Sequence, residues 1–445
     1  MDTLWNLLRT LRTRPAPHQA EALAVLSQAH DASEWCALSR HPNGYIREGA
    51  VRQLALSKTP EQFVALVERL NDWVPEIREH ALQAIQTYLR PEHTAALLTG
   101  LEPLIELAEK RRADHSGTLD QVRTVLLHAQ ARATTLQTFL VLRGRAARFL
   151  FELLAGQETD LPTLLEAALK HLDVSVRRLA MAHVAVRADA AVWASRMLED
   201  SYAPLRAEAL RLWLPSATPA QAHAALRKAL HDCSFAVLDL ALWAARQWGL
   251  DPSEVLHERL AAAHPRRRRE WAGMLMLIRA LPERTALPVV QAALEAPSPR
   301  VREQALSVLA QVAPDTLEEA LLSALGDHAP RVFKQAVRLL QASPSQRLEP
   351  SIDHLLETHW EALDTERRDA LLHLKPHWRQ AAWLLRRYNG AQSDYWLAHI
   401  QRWCDRAYAS YDVITPREER ERLKGDLQQL EDSGRLKPGS TRRAS

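Results

Sequence analysis

Four consecutive arginines, Arg266, Arg267, Arg268 and Arg269, form the densest basic run in the 445-residue chain. Guanidinium groups grip phosphates and carboxylates in pairs of hydrogen bonds, so this run is a candidate anion site. It falls at the turn before a helix through Trp271, where positive charge opposes the helix dipole and hints at a purpose beyond solvation. The competing reading is a solvated edge that needs no partner. His354, Glu357 and His359 are the nearest approach to a metal constellation. His373 and His377 follow, but Pro376 interrupts a shared helix face, and no second carboxylate–histidine set stands at ligand spacing. No phosphate loop, dinucleotide fingerprint, HExxH motif or GxSxG elbow occurs in the sequence. The residues assign no catalytic group, no metal and no cofactor.

The elements that would position any site are repeated. In DWVPEIREHALQAIQTYL, residues 72–89, an acid in a short turn precedes a helix carrying Ile77, Ala81, Leu82 and Ile85. The small residue at Ala81 recurs as Ala50, Ala180, Ala209, Ala241, Gly273, Ala305, Ala336 and Ala370. From Ala180 onward the steps are 29, 32, 32, 32, 31 and 34 residues. Apolar residues stand four before, one after and four after this slot, which is one stripe on a helix. The small residue lets a neighbouring helix approach closely. Pro60, Pro91, Pro162, Pro219, Pro252 and Pro314 mark the starts of a preceding helix in each unit. A helix–turn–helix of about thirty residues cannot bury its own apolar faces, and stacked neighbours can.

An acid stands six residues before a base in two of these units, Asp72 with Arg78 and Asp200 with Arg206. Asp232 and Asp327 keep the acid alone; Arg47, Arg177 and Arg302 keep the base alone. With the helical pair and the period, these residues make the chain resemble the HEAT-repeat family, including its bilin-lyase-type members, over roughly residues 41–90 and 160–345. The resemblance implies an all-α, right-handed α-solenoid of stacked helical hairpins. It also implies that Asp72, Arg78, Asp200 and Arg206 form a structural ladder between repeats, and that the second helices line a concave wall.

On such helices, residues two before and two after the small slot lie opposite the apolar stripe, since each residue turns by about 100°. Those slots hold Glu48, Arg52, Glu79, Gln83, Arg178, Arg211, Asp239, Trp243, Lys334 and Arg338. Their mixture of acids, bases and one Trp suits a protein partner better than a polyanion. The function expected is therefore a non-enzymatic scaffold that binds a protein on this wall. One alternative is a nucleic-acid protein, since the small HEAT-like DNA glycosylases use concave tryptophans and an acid. Asp239, Trp243 and Trp271 are a loose echo of that arrangement. Another is a cofactor-lyase accessory protein, which rests on fold analogy alone.

The chain has 57 basic and 54 acidic residues, a net charge of +3 that gives little support to wholesale nucleic-acid binding. Cys36, Cys233 and Cys404 are far apart and odd in number, which suits a reducing cytoplasm and not a disulfide framework. The first residues are too short and polar a stretch for a secretory signal, and no membrane span is expected. The domain reading is as follows: an N-terminal helical cap over 1–40 with a stripe of Leu4, Leu7, Leu8 and Leu11, then repeats over 41–90. Degenerate repeats or a helical insertion fill 91–160, with a single long helix over 118–142. Regular repeats run over 161–345. An aromatic-rich region follows over 346–411, as a cap or as an interface. A charged helix and a disordered tail close the chain over 412–445.

Overall fold

The computed structural model describes residues 17–110, 112–157, 161–342, 346–391, 393–406, 412 and 414–444. The expected Leu4–Leu11 stripe lies outside them. Among the described residues all regular structure is helical. The chain divides into two compact units, Met1–Ser216 and Ala217–Ser445.

In the first unit, helical pairs follow one another: Ala32–Leu38 with Gly44–Leu54, Pro60–Arg69 with Pro75–Gln86, Leu161–Leu169 with Val174–Ala185, and Ala190–Ser195 with Ala203–Trp213. Thr59 caps its helix through a capping box with Gln62, and Pro60 occupies the first helical position. First helices pack on first helices, as Ala32–Leu38 does on Pro60–Arg69. Second helices pack on second helices, as Gly44–Leu54 does on Pro75–Gln86. The result is one continuous apolar core from Val51 to Ala209.

The stretch 91–160 keeps this core while losing the period. Thr94–Thr99 and Leu101–Leu107 are divided at Gly100, where an added Cβ would stand 2.6 Å from the ring of the fully buried Phe63. The long helix expected over 118–142 is instead two, Ser116–Leu127 and Ala129–Val141. The break is at His128, whose backbone turns to ψ 144 while its Nδ1 accepts the Gln130 amide at 3.3 Å. A third helix, Gly144–Ala155, packs on Val174–Ala185 and so returns the chain to the regular stack.

The second unit holds the pairs Pro219–Leu230 with Phe235–Gln247, Pro252–Ala261 with Arg268–Ala280, Leu287–Leu294 with Pro299–Val312, and Leu317–Leu325 with Pro330–Ala342. Glu349–His359 and Thr365–His373 follow, then the longer helices His377–Ala391, Asp394–Arg406 and Arg417–Asp432. Gly273, which fills the small slot in its unit, is there by necessity. A Cβ would meet the backbone oxygen of His231 at 2.2 Å, a group that cannot swing aside.

The small slot is fully buried at Ala50, Ala81, Ala180, Ala209, Ala241, Ala305 and Ala336, and only partly buried at Ala370. One residue of the expected stripe is out of place: Leu82 is 41% exposed. Its helix, Pro75–Gln86, packs chiefly on the two helices before it, because the irregular stretch brings up no second helix as its predecessor does.

The aromatics of the last segment are core. Trp360 lies 5.1 Å from Trp383 and 4.8 Å from Trp396, ring centre to ring centre, and Trp378 lies 5.7 Å from Trp403. These five and Tyr388 are buried, while Tyr395 is half-exposed. Arg387 stands over both Trp383 and Trp396, an arrangement in which the rings receive the guanidinium charge. Tyr408 and Tyr411 lie outside the described residues. The expected disordered tail is also corrected. Leu436, Ser440 and Thr441 are buried, and Glu431 accepts the Thr441 amide at 2.8 Å and its hydroxyl at 2.7 Å. Gln401 accepts the Lys437 amide at 2.8 Å. Those bonds satisfy the backbone of the last turn and fold it onto Asp394–Arg406.

Candidate functional site

The ladder of charged residues decides which arginines are available to bind anything. Asp72 and Asp200 do link repeats, but their partners lie in the preceding unit. Arg47 donates Nε to Asp72 Oδ2 at 2.9 Å and Nη2 to Oδ1 at 3.0 Å. Arg177 holds Asp200 in the same way, at 2.9 and 3.2 Å. Arg302 holds Asp327 at 2.8 and 2.9 Å. The remaining Nη1 of each arginine donates to carbonyls of its own turn, His41 and Pro42 for Arg47 and Ala296 for Arg302. Arg78 and Arg206 make that same local bond, to the backbone oxygens of Asp72 and Asp200 at 2.7 Å. Of the four residues expected to link repeats as a ladder, Asp72 and Asp200 reach the neighbouring repeat, while Arg78 and Arg206 bond within their own turn. A base six residues after the acid sits in the first turn of the same helix and reaches back to the turn. The carboxylate faces the base of the neighbouring repeat.

Burial raises the pKa of Asp72, but the hydrogen bonds from Arg47 and the Val74 amide, with the nearby Arg47 and Arg69 charges, outweigh it and leave the carboxyl below its usual range. Asp327 is depressed for the same combination of reasons, with Arg302 and the Ala329 amide as donors.

The residues opposite the stripe fall on the second helices as follows. In the first unit Glu79, Gln83, Arg178 and Arg211 are exposed, and Glu48 and Arg52 are partly so. Glu48 binds Arg52 at 2.6 Å one turn along, with His80 of the next second helix 3.9 Å away. Arg211 binds Glu208 at 3.0 Å. In the second unit Lys334 binds Glu366 at 2.8 Å, and Arg331 binds Glu303 at 3.2 Å. Arg338 and Asp239 are exposed. Many of these charges therefore pair with each other across or along the helices, and exposed pairs of this kind contribute about 0–1 kcal/mol.

What the charges leave free is aromatic. Trp243 is 63% exposed on the helix Phe235–Gln247, and Phe235 on the same helix is 68% exposed. Eight residues is a little over two turns, so Phe235, Asp239 and Trp243 share one face over roughly 12 Å. Phe235 was not among the expected site residues. Its signal was the same four-residue spacing that connects Asp239 to Trp243. Trp271, by contrast, is buried with His264 against its edge, so it offers no platform for a stacked base and the echo of a glycosylase site is broken.

Arg266, Arg267, Arg268 and Arg269 are all exposed at the start of Arg268–Ala280. The acid favoured at a helix start is supplied by Glu270, which accepts the amides of Arg266 and Arg267 at 3.1 and 3.2 Å. His354, Glu357 and His359 are exposed, and Glu357 faces Arg386 at 3.8 Å. Among the described residues no three His, Cys, Asp or Glu side chains come together as a metal-ligand set. Among them, too, no helix is long and apolar enough to cross a membrane.

Residues 286–375 match the family model of HEAT repeats. No curated protein matches. Among solved structures, the complex of CpcE and CpcF of phycocyanin lyase from Nostoc sp. PCC7120 is 20% identical. That match covers 48% of this chain and 92% of that one, at a TM-score of 0.23. Kap95p bound to RanGDP is 13% identical over 97% of this chain and 67% of that one, at 0.37. Yeast importin-beta alone is 12% identical over 95% and 59%, at 0.29. Residues 286–375, in which the second helices Pro299–Val312 and Pro330–Ala342 pack on each other and Arg302 is bonded to Asp327, are HEAT repeats.

Proposed function

We propose that the chain is a non-enzymatic scaffold that holds a protein partner on the exposed face of its second helices. The observation that carries this reading is the pair Phe235 and Trp243, both about two-thirds exposed on one helix face with Asp239 between them. Large aromatics are the commonest anchors of protein interfaces, and a charge between them fixes orientation. Within the second unit the Lys334–Glu366 pair adds polar groups to the second-helix surface. Arg338 belongs to the same proposed surface of the second unit; Glu48, Arg52, Glu79, Gln83, Arg178 and Arg211 are proposed as a second-helix surface of the first unit. A reducing cytoplasm fits this reading, since Cys36, Cys233 and Cys404 form no disulfide among the described residues.

The test is affinity capture from native cells with the parent chain, Trp243→Ala and Phe235→Ala, read by mass spectrometry. The expected result is a protein captured by the parent and lost from both variants while their melting temperatures stay unchanged. Identical capture by all three would overturn the reading.

A further inference from the structure

In the first unit, the turns before Gly44–Leu54 and Pro75–Gln86 and the turn after Leu101–Leu107 meet at a cleft of about 470 Å³. Arg40 and Arg47 flank the first turn, Arg69 and Trp73 the second, and Lys110 and Arg112 the third. Five basic residues line it, these arginines and Lys110, against three acids, Glu68, Asp72 and Glu106; the excess is two positive charges.

The acids present are already claimed. Asp72 is held by both Nε and Nη2 of Arg47, and Glu68 by Nε and Nη2 of Arg40 at 2.8 and 2.7 Å. Arg69 is left as second claimant on each, 3.4 Å from Asp72 and 3.8 Å from Glu68. Its Nε is buried with no hydrogen-bond partner, and so is Oδ1 of the adjacent Asn71. A guanidinium donor buried without an acceptor is destabilising, and an oxyanion seated beside it would supply one. Among the described residues, Arg112 donates only to the backbone oxygen of Asn71, at 3.1 Å. Lys110 makes no ion pair among the described residues, and at the rim Trp73 is 67% exposed with Arg47 over its ring.

We propose that this cleft binds an oxyanion carried on a peptide, a glutamate or aspartate carboxylate or a phosphorylated side chain, with Trp73 covering the neighbouring apolar residue. The acids argue for a peptide and against a nucleic acid. Glu68 and Glu106 stand among the bases, where a continuous phosphate backbone would meet them, whereas a peptide brings one or two anions between neutral residues. Val67, Leu107 and Pro103 give the cleft an apolar floor for those residues. This site is separate from the second-helix face and stands whether or not that face binds a partner.

The experiment is titration calorimetry on the full chain at low salt. The probes are a peptide with paired glutamates beside a leucine, its phosphoserine counterpart, its glutamine counterpart, inorganic phosphate and a single-stranded oligonucleotide. Expected is binding of the glutamate peptide, the phosphoserine peptide or both, and which of them binds identifies the source of the anion. The glutamine peptide should be weaker by about tenfold or more, and rising salt should weaken the charged peptides. Lys110→Glu with Arg112→Glu, both exposed and therefore compatible with folding, should cost a further tenfold or so. Trp73→Ala should weaken the peptides while leaving any phosphate binding unchanged. No binding by either charged peptide would overturn the proposal. So would equal binding of the glutamine peptide, undiminished binding by the double variant, or tighter binding of the oligonucleotide than of both peptides.

Discussion

Arg47 and Asp72 lie twenty-five residues apart on consecutive repeats and meet through two parallel hydrogen bonds of 2.9 and 3.0 Å, with both side chains almost wholly buried. The same guanidinium also closes the turn before its own helix. One side chain thus fixes the shape of a turn and the position of the next repeat. Breaking such a pair from one side leaves a buried charge without its partner. Asp72→Ala should therefore lower unfolding stability by about 3 kcal/mol or more. Replacing both members by apolar residues, Arg47→Met with Asp72→Leu, should cost less than the single change. Chemical denaturation checks both, and a single-variant loss below about 1 kcal/mol would be incompatible with the geometry.

The pH dependence follows from the same carboxylates. The folded pKa of Asp327 lies below its ordinary value because Arg302 and the Ala329 amide outweigh burial. A depressed carboxyl stabilises fully above its unfolded pKa of about 3.9, and the contribution fades as pH falls through the lower folded value. Thermal melts of the parent and Asp327→Asn should differ most near neutral pH. The gap should narrow from about pH 4 downward. A gap constant across that range would exclude this link as its source.

Gly273 and Gly425 should respond oppositely to alanine. At Gly273 a methyl group collides with the His231 carbonyl oxygen, so Gly273→Ala should destabilise by about 1–3 kcal/mol. At Gly425, inside the helix Arg417–Asp432, nothing lies within 4 Å, so Gly425→Ala should gain up to about 1 kcal/mol of helix stability. Melting temperatures of the two variants decide the matter.

The tryptophans should divide into two classes. Trp383 is fully buried against Trp360 and Trp396, and Trp383→Ala should cost about 3–5 kcal/mol. Trp243→Ala, at a largely exposed position, should stay within about 0.5 kcal/mol of the parent. A large loss at Trp243 would place it in the core and remove it from the proposed interface.

The sequence by itself determined the repeat, the helical pairs and the buried faces. Ala50, Ala81 and Ala305 with their flanking apolar residues recur at a helical period, and a local pattern is enough to say which side of a helix avoids water. Turn chemistry was equally legible at Thr59-Pro60 and Thr218-Pro219, since caps depend on neighbours three residues away. Tertiary structure alone decided the partners. Asp72 chose Arg47 over Arg78 because the carboxylate points along the stack, and only stacking puts the earlier arginine there. Trp271 and Trp243 look alike in the sequence, yet one is buried and the other exposed, because the helices packed around each differ. Leu82 was left in the open for the same reason. Local spacing fixes the face of a helix; the identity of what covers that face is set by residues far away in the chain.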